Sequence, residues 1–417
     1  MLDRILKSEF AKGSILLLFT IGIFNFLNLL FHFISGRLLG EFLYGTFAAI
    51  MGIVYIFNVP SEAIQTIMSK YTIKSANEKE KIKGLLKKGL KKFFFFSLIS
   101  FAIFAALSPF IGKFLSIETP LIILTGVIII TGFLTSVNRG VLQGLKKFSS
   151  LGVNFLFEGI VKLSFGVLLM LIGIQIYGAL LGLIIGGLFA FLISFVSLKD
   201  IIKSKAEKAD TEGMRSYALP VIISLATVTI FYSIDLILFK KFFPDLAGQY
   251  AVISMMGKII FFGTSPIGKA MFPLVSERDH KKEDSRGILK KSILLVFTLA
   301  LLAWAVYFLF PEQLISLLYG EEFLGLSSYI LLPSAAMILL ALSNIFVYYN
   351  LSTDKRYINY FMIFFVIMQI TLLSLFHSTI LQFMIINIIG NALFFAFLFF
   401  SSLKKNEKIF EYNNTRI

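Results

Sequence analysis

Cysteine is absent from the 417-residue chain, and histidine occurs only three times. Without thiols there is no disulfide framework, no thiolate metal site and no thiol nucleophile, and three histidines do not make a His-rich metal enzyme. Charge is scarce as well. Asp, Glu, Lys and Arg together make up 15% of the residues, against about 25% in an ordinary soluble domain. Acidic residues are the rarer kind: 24 Asp and Glu face 39 Lys and Arg, leaving a net charge of +15. Apolar residues take the place of charge, at 57% of the chain with a mean hydropathy of +0.87. This is the composition of an integral membrane protein.

A membrane-crossing helix needs about 20 largely apolar residues. Twelve runs qualify, at 13–35, 42–66, 93–115, 120–142, 149–172, 176–198, 217–239, 247–276, 292–311, 325–350, 357–377 and 379–403. Gly173 and Gln175 divide the closely spaced fifth and sixth runs. The first run exceeds the apolar region of a cleaved signal peptide, about 7–15 residues, and no A-x-A-like site follows it. The longest polar stretch, Ser69–Lys92, is expected to be an amphipathic surface helix, with Ile82, Leu85, Leu86 and Leu90 among lysines that touch anionic lipid. No soluble domain and no nucleic-acid interface is expected. With the N-terminus placed inside, 31 basic residues fall in inside segments, and only Arg37, Lys113, Lys240 and Lys241 in outside loops. Positive residues mark the cytoplasmic face. Both termini are therefore expected in the cytoplasm, in a multi-pass protein of the cell membrane.

The second half repeats features of the first. Gly45-Thr46-Phe47-Ala48 aligns with Gly248-Gln249-Tyr250-Ala251 at an offset of 203, which also pairs Arg37 with Lys240, His32 with Asp235 and Tyr55 with Lys258. Lys146-Lys147-Phe148 matches Lys355-Arg356-Tyr357 at 209. Both halves begin on the same side, as in the parallel repeats of transporters, whose substrate site lies between the halves. The expected architecture is an all-α polytopic membrane protein of twelve helices, in two pseudo-symmetric six-helix lobes around a central cavity. Its parts are an N-terminal lobe at 1–199, a cytoplasmic linker at 200–216, a C-terminal lobe at 217–403 and a cytoplasmic tail at 404–417.

Polar residues inside spanning helices are costly and face a cavity or a partner. In the first helix Asn25, Asn28 and His32 share a face, and in the second Tyr55, Asn58, Glu62 and Gln65 do, with Pro60 expected to bend it. The seventh aligns Ser224, Thr227 and Asp235, and the eighth Ser254, Lys258, Ser265 and Lys269. Simpler roles stand beside a cavity role. Asn25 and Asn28 also suit helix association, and His32 suits a satisfied polar residue near the outer end. Glu158 and Lys162, four apart, can neutralise one another, while Arg37, Arg139 and Asp235 can snorkel from helix ends. Lys258 lies about 16 Å into its helix with no acidic residue at i±3 or i±4. The membrane-depth basic set is Arg139, Lys162, Lys258 and Lys269, with Arg37 at the rim, against Glu62, Glu158 and Asp235. A net basic cavity suits a phosphate or diphosphate group, which Lys meets as a point charge and Arg as a fork. The candidate cavity residues are Asn25, Asn28, His32, Arg37, Tyr55, Glu62, Arg139, Lys162, Lys258 and Lys269. Candidates for ion coupling are Glu62, Glu158 and Asp235. No catalytic residue, metal or cofactor is expected.

Gly36-Arg37-Leu38-Leu39-Gly40 followed by Tyr44-Gly45 resembles the polysaccharide flippases of the multidrug/oligosaccharidyl-lipid/polysaccharide exporter superfamily. Leu142-Gln143-Gly144-Leu145 before a basic pair, and Ile234-Asp235 followed by Gly248-Gln249-Tyr250-Ala251, are similar to that group too. The resemblance spans roughly residues 10–400. It implies two lobes alternating between inward- and outward-open states, with a lipid-linked oligosaccharide as cargo, its polyprenyl tail in lipid and its sugars in the cavity. By the same resemblance Arg37, Lys258 and Lys269 would hold the phosphate. The lipid II flippase branch commonly adds helices for which this chain has no room. The other readings are an H⁺- or Na⁺-coupled multidrug exporter of the same fold and a membrane-embedded glycosyltransferase, ligase or polymerase. The short outside loops and the lack of an Asp-x-Asp weigh against an enzyme. Expected partners are the lipid-linked oligosaccharide, the bilayer and other polysaccharide-assembly proteins, and the chain is expected to work as a monomer.

Overall fold

The computed structural model describes residues 9–75, 78–207, 214–281, 283–353 and 357–403. The expected tail at 404–417, part of the expected linker (208–213) and the markers Arg4, Lys7, Lys355 and Arg356 lie outside the described residues. Among the described residues every regular element is helical. The α-helices are α1 (Glu9–Lys74), α2 (Lys79–Leu115), α3 (Thr119–Gly144), α4 (Phe148–Leu169), α5 (Gln175–Ser197) and α6 (Lys199–Lys203). They continue as α7 (Met214–Phe242), α8 (Ala247–His280), α9 (Arg286–Leu309), α10 (Pro311–Leu318), α11 (Leu331–Ser352), α12 (Tyr357–Leu375) and α13 (Ile380–Leu403). Hydrocarbon leaves a backbone no other partner than itself, and a helix satisfies its N–H and C=O groups within one segment.

The first two apolar runs form one helical element that folds back on itself. Tyr55 Oη lies 3.2 Å from His32 Nε2, 23 residues away, where a straight helix would separate them by about 34 Å. The reversal sits at Gly40, whose φ of 71° and ψ of 171° break the helix and suit glycine, which has no Cβ to clash. The reversal falls between the two apolar runs 13–35 and 42–66, and the backbone stays helical through Pro60. A second reversal joins α4 to α5 through a π-helical turn, Met170–Ile174, with Gly173 at φ 91° and Gln175 at φ 46°.

Two packed units emerge, Met1–Met255 with Phe310–Ser328, and Met256–Leu309 with Tyr329–Ile417. In the first, α5 presents Gly178, Gly182, Gly186 and Ala190 at four-residue intervals, a stripe of small residues against α4. A Cβ added at Gly182 would stand 2.5 Å from Gly166 Cα and 2.9 Å from the Lys162 carbonyl oxygen. Both are backbone atoms, so the two helices touch main chain to main chain. α3 runs along the second arm of α1 in the same way, with Gly140 and Gly144 each 2.6 Å, measured from an added Cβ, from the carbonyl oxygens of Gln65 and Ser69. In the second unit α8, α9 and α11 meet through Tyr307, which donates to the Met256 carbonyl at 3.0 Å, and Trp304, which donates to the Leu331 carbonyl at 3.2 Å.

Among the described residues nine helical segments are long and apolar enough to cross a membrane, with Tyr360–Leu375 a shorter apolar one. Two of the nine, Phe19–Lys74 and Phe148–Ser197, contain the reversals at Gly40 and Gly173. The most apolar windows of α2 and α9 are only 17% buried in the protein, leaving Phe95, Ile99, Ile103 and Phe110 outward. Faces of that size belong in lipid. The polar stretch expected as a separate surface helix is divided differently. Residues 69–74 end α1, and Lys79–Lys92 are the opening turns of the same long helix α2 that continues into the apolar run. The amphipathic pattern holds there: Ile82, Leu85 and Leu86 are buried while Lys87, Lys88, Lys91 and Lys92 stay exposed.

Gly182→Ala is expected to push α4 and α5 apart at a cost of about 1–3 kcal/mol. Gly263→Ala, whose Cβ would meet nothing within 4 Å, is expected to be neutral or slightly stabilising. Unfolding of the two variants in detergent measures the difference, and equal stability would refute main-chain contact at Gly182.

Candidate functional site

The first unit carries a buried polar core between α1, α3, α4 and α5. On α4, Asn154, Glu158 and Lys162 fall four apart and form one stripe. Arg139 of α3 meets this stripe: its Nε donates to Asn154 Oδ1 at 2.7 Å, and its Nη2 forms an ion pair with Glu158 Oε2. Phe155 lies under the guanidinium at 3.9 Å, a cation–π contact that offsets part of the lost hydration. Asn154 in turn donates to the Ala190 carbonyl at 2.7 Å, which ties the pair to the glycine-lined face of α5. Lys162 donates to Asn28 Oδ1 and stands 5.6 and 5.3 Å over the rings of Phe24 and Phe31. Glu158 therefore takes its hydrogen-bonded ion pair from Arg139 rather than from Lys162, the neighbour one turn away. Arg139 is 8% exposed and Lys162 5%, so neither snorkels to an interface.

A second network links the two arms of α1. His32 is buried, with Nε2 3.2 Å from the Tyr55 hydroxyl and Nδ1 3.4 Å from that of Tyr44. Tyr55 packs edge-on against Tyr232 of α7 at 5.5 Å. Asp235, also on α7, is fully buried, and its Oδ2 accepts from Tyr250 Oη at 3.0 Å and Ser254 Oγ at 2.6 Å. It lies two turns inside α7 and does not reach a helix end, because the helix runs on to Phe242.

The remaining candidates are dispersed. Asn25 is half-buried, and Asn58 and Glu62 are exposed, with the Glu62 backbone carbonyl accepting from Thr66 Oγ1 at 2.9 Å. Gln65 donates to Gln143 Oε1 at 2.9 Å. Arg37 spends its guanidinium on backbone: Nε donates to the Leu318 carbonyl at 3.2 Å, and Nη2 to those of Ser316, at 3.4 Å, and Leu317. In the second unit Lys258 is fully buried on α8 and Lys269 is exposed. That unit also holds an amide cluster in which Gln369 donates to Asn387 Oδ1 at 2.7 Å and Asn391 to the Asn387 carbonyl at 2.8 Å.

Sequence reasoning missed Asn154, Tyr44, Tyr250 and the Gln369/Asn387/Asn391 cluster. The four-residue spacing of Asn154, Glu158 and Lys162 was the signal available for the first, whereas α12 and α13 carry no charge to draw attention to their amides. An apolar crevice of about 450 Å³ lies elsewhere in the first unit, lined by Ile53, Phe110, Ile111, Phe114, Leu115 and Ile237. Lys241 Nζ sits 5.0 Å over the ring of Phe114.

Removing one partner of a fully buried ion pair leaves a charge without its counterion, which costs about 3–5 kcal/mol, with less expected here because the Glu158 side chain is 22% exposed, whereas removing both is far milder. Arg139→Met is thus expected to destabilise, and Arg139→Met with Glu158→Leu to recover most of the loss. Denaturant unfolding in detergent checks this, and a double variant less stable than the single would contradict it.

Residues 34–328 match the model of the family described as polysaccharide biosynthesis protein. An uncharacterised membrane protein of Methanocaldococcus jannaschii is 25% identical over 286 residues, 63% of this chain and 67% of that protein. Among solved structures, an inward-facing multidrug resistance transporter of the MATE family, MOP superfamily, is similar with a TM-score of 0.72 and 14% identity, covering 91% of this chain and 95% of that one. Lipid II flippase MurJ in its inward closed conformation is similar with a TM-score of 0.72 and 15% identity, covering 94% and 88%. A MOP superfamily transporter from Pyrococcus furiosus, whose binding pocket is described as having reverse polarity, is similar with a TM-score of 0.61 and 14% identity, covering 96% and 98%. At such identities the likeness is one of fold, and these fold neighbours are transporters and flippases rather than enzymes. With the family model spanning the chain from the first arm of α1 past α10, this protein belongs to the polysaccharide biosynthesis protein family and has the all-helical fold of the MOP-superfamily transporters.

Proposed function

We propose that the chain is a flippase that moves a polyprenyl-(di)phosphate-linked oligosaccharide across the cytoplasmic membrane by alternating access, for the assembly of a cell-surface polysaccharide. The observation that carries this reading is a set of cations buried within the helices. Arg139, Lys162 and Lys258 are each under 9% exposed, with Arg139 paired to Glu158 and Lys162 hydrogen-bonded to Asn28. Positive charge held at membrane depth is expensive and marks the path of a substrate or ion. A (di)phosphate is the anionic part of the proposed cargo. Lys162, with Asn28 beside it, and Lys258 are the groups proposed to meet it. Arg37 is already bonded to three carbonyls, which argues against the phosphate role that the resemblance implied for it. The apolar crevice by Phe110 and Phe114 offers a seat for part of an isoprenoid tail.

The test is reconstitution with a labelled lipid-linked oligosaccharide, scored for translocation with and without H⁺ and Na⁺ gradients. A charged hydrogen bond is worth about 1.5–3 kcal/mol, so Lys162→Ala and Lys258→Ala are each expected to slow translocation about 10–100-fold while the protein still inserts. Full translocation in both variants would overturn the assignment of these lysines. Efflux of cationic drugs with no movement of the glycan would instead assign the multidrug-exporter reading. If neither gradient affects the rate, Glu62, Glu158 and Asp235 are not coupling groups.

A further inference from the structure

Residues 310–328 sit unexpectedly for their place in the chain. Leu309 ends α9 and Tyr329 leads into α11, both in the unit Met256–Leu309 with Tyr329–Ile417, yet the segment between them packs within the other unit, on the turn of α1. α10 is closed by Gly320 at φ 115°, whose N–H reaches the carbonyls of Ile315 and Ser316 at 3.2 and 3.1 Å. Such an ending leaves last-turn carbonyls without a partner inside the helix. Arg37 supplies the partner for the carbonyls of Leu317 and Leu318 and adds a second bond to that of Ser316, and its charge faces the negative end of the helix dipole.

The next residue is held as firmly. Tyr319 is 1% exposed and packs on Phe33, Tyr44 and Phe323 at 5.2, 5.5 and 5.8 Å. Tyr44 donates to the Tyr319 hydroxyl at 3.3 Å. At Gly36 an added Cβ would lie 2.5 Å from Tyr319 Cδ1, so only glycine leaves room for the ring. Gly36, Arg37 and Tyr44 all belong to the motif on which the flippase resemblance rests, and each of them touches this segment.

We propose that residues 310–328 are a latch: a strap joined by sequence to one unit and seated on the other by Gly36, Arg37 and Tyr44, which leaves its seat in each transport cycle. The connectors are too short for the strap to ignore a movement of the helices it joins. Phe310 alone separates α9 from α10, and Ile330 alone separates Tyr329 from α11, while a residue spans at most about 3.6 Å. Arg37 is thus a positioning residue that holds the strap down, and the motif is a seat for it. The cycle itself rests on the alternating-access reading proposed above; the seat does not.

Hydrogen–deuterium exchange of the full chain in nanodiscs tests the seat without any cargo. Amides across 311–328 are expected to show a seated and a released population. Arg37→Ala is expected to raise the released fraction about tenfold, the effect of losing a charge-assisted bond or more, and Arg37→Lys by less. Protection in α4 should not change, which separates release from general loosening. In the cysteine-free chain, the pair Gly36→Cys with Tyr319→Cys should form a disulfide that stops glycan translocation until reductant is added. Equal exchange across 311–328 in wild type and Arg37→Ala, or translocation by the oxidised pair at the reduced rate, would overturn the latch. An exchange shift as expected in a protein that moves no glycan would keep the latch and remove the cargo assignment.

Discussion

A hydrocarbon solvent supplies no hydrogen bond and no counterion, so each polar group placed at membrane depth has to find its partner inside the protein. That requirement runs through this structure at every level. It makes every regular element among the described residues helical. It also governs the polar side chains, which occur in groups: Arg139 with Asn154 and Glu158, Lys162 with Asn28, and Asp235 with Tyr250 and Ser254. The second unit meets the same requirement in part between α12 and α13, where the amides of Gln369, Asn387 and Asn391 bond one another while Gln369 Oε1 and Asn391 Oδ1 are buried without a partner.

Between lipid-solvated helices there is little hydrophobic drive to associate, and close backbone contact takes over. The α4–α5 hairpin shows how the two devices combine. Its glycine stripe brings main chains together, and the Asn154 bond to the Ala190 carbonyl crosses the same interface. Ion pair, amide and glycine are therefore one construction, and a change in any of them is felt by the others. The α1 hairpin is held differently, by the His32, Tyr44 and Tyr55 hydroxyl network across the reversal at Gly40.

The family model places the chain in a polysaccharide biosynthesis family and the solved structures give it a transporter fold, while the proposal of an anionic cargo rests on the buried lysines and arginine. Arg37 shows how a basic residue takes a partner that charge alone does not reveal. Its guanidinium completes a helix end contributed by residues about 280 positions later. Nothing in the local sequence around Arg37 announces α10 as its partner.

Composition and spacing alone were enough to establish an integral membrane protein, most of its apolar runs, the division at Gly173 and the helical stripes of polar residues. All of these are local properties, set by the length of a run or by a period of 3.6 residues. The stripe on the first helix was readable for the same reason, as was the placing of Lys162 and Lys258 inside helices, where both are buried. Which partner each polar residue takes was decided by tertiary structure. Glu158 has a lysine four residues away, yet bonds an arginine 19 residues back on α3, because packing of α3 on α4 brings that guanidinium closer than the helix geometry brings Lys162. Periodicity tells a residue's face but not what stands opposite, and that depends on contacts between residues far apart in the chain.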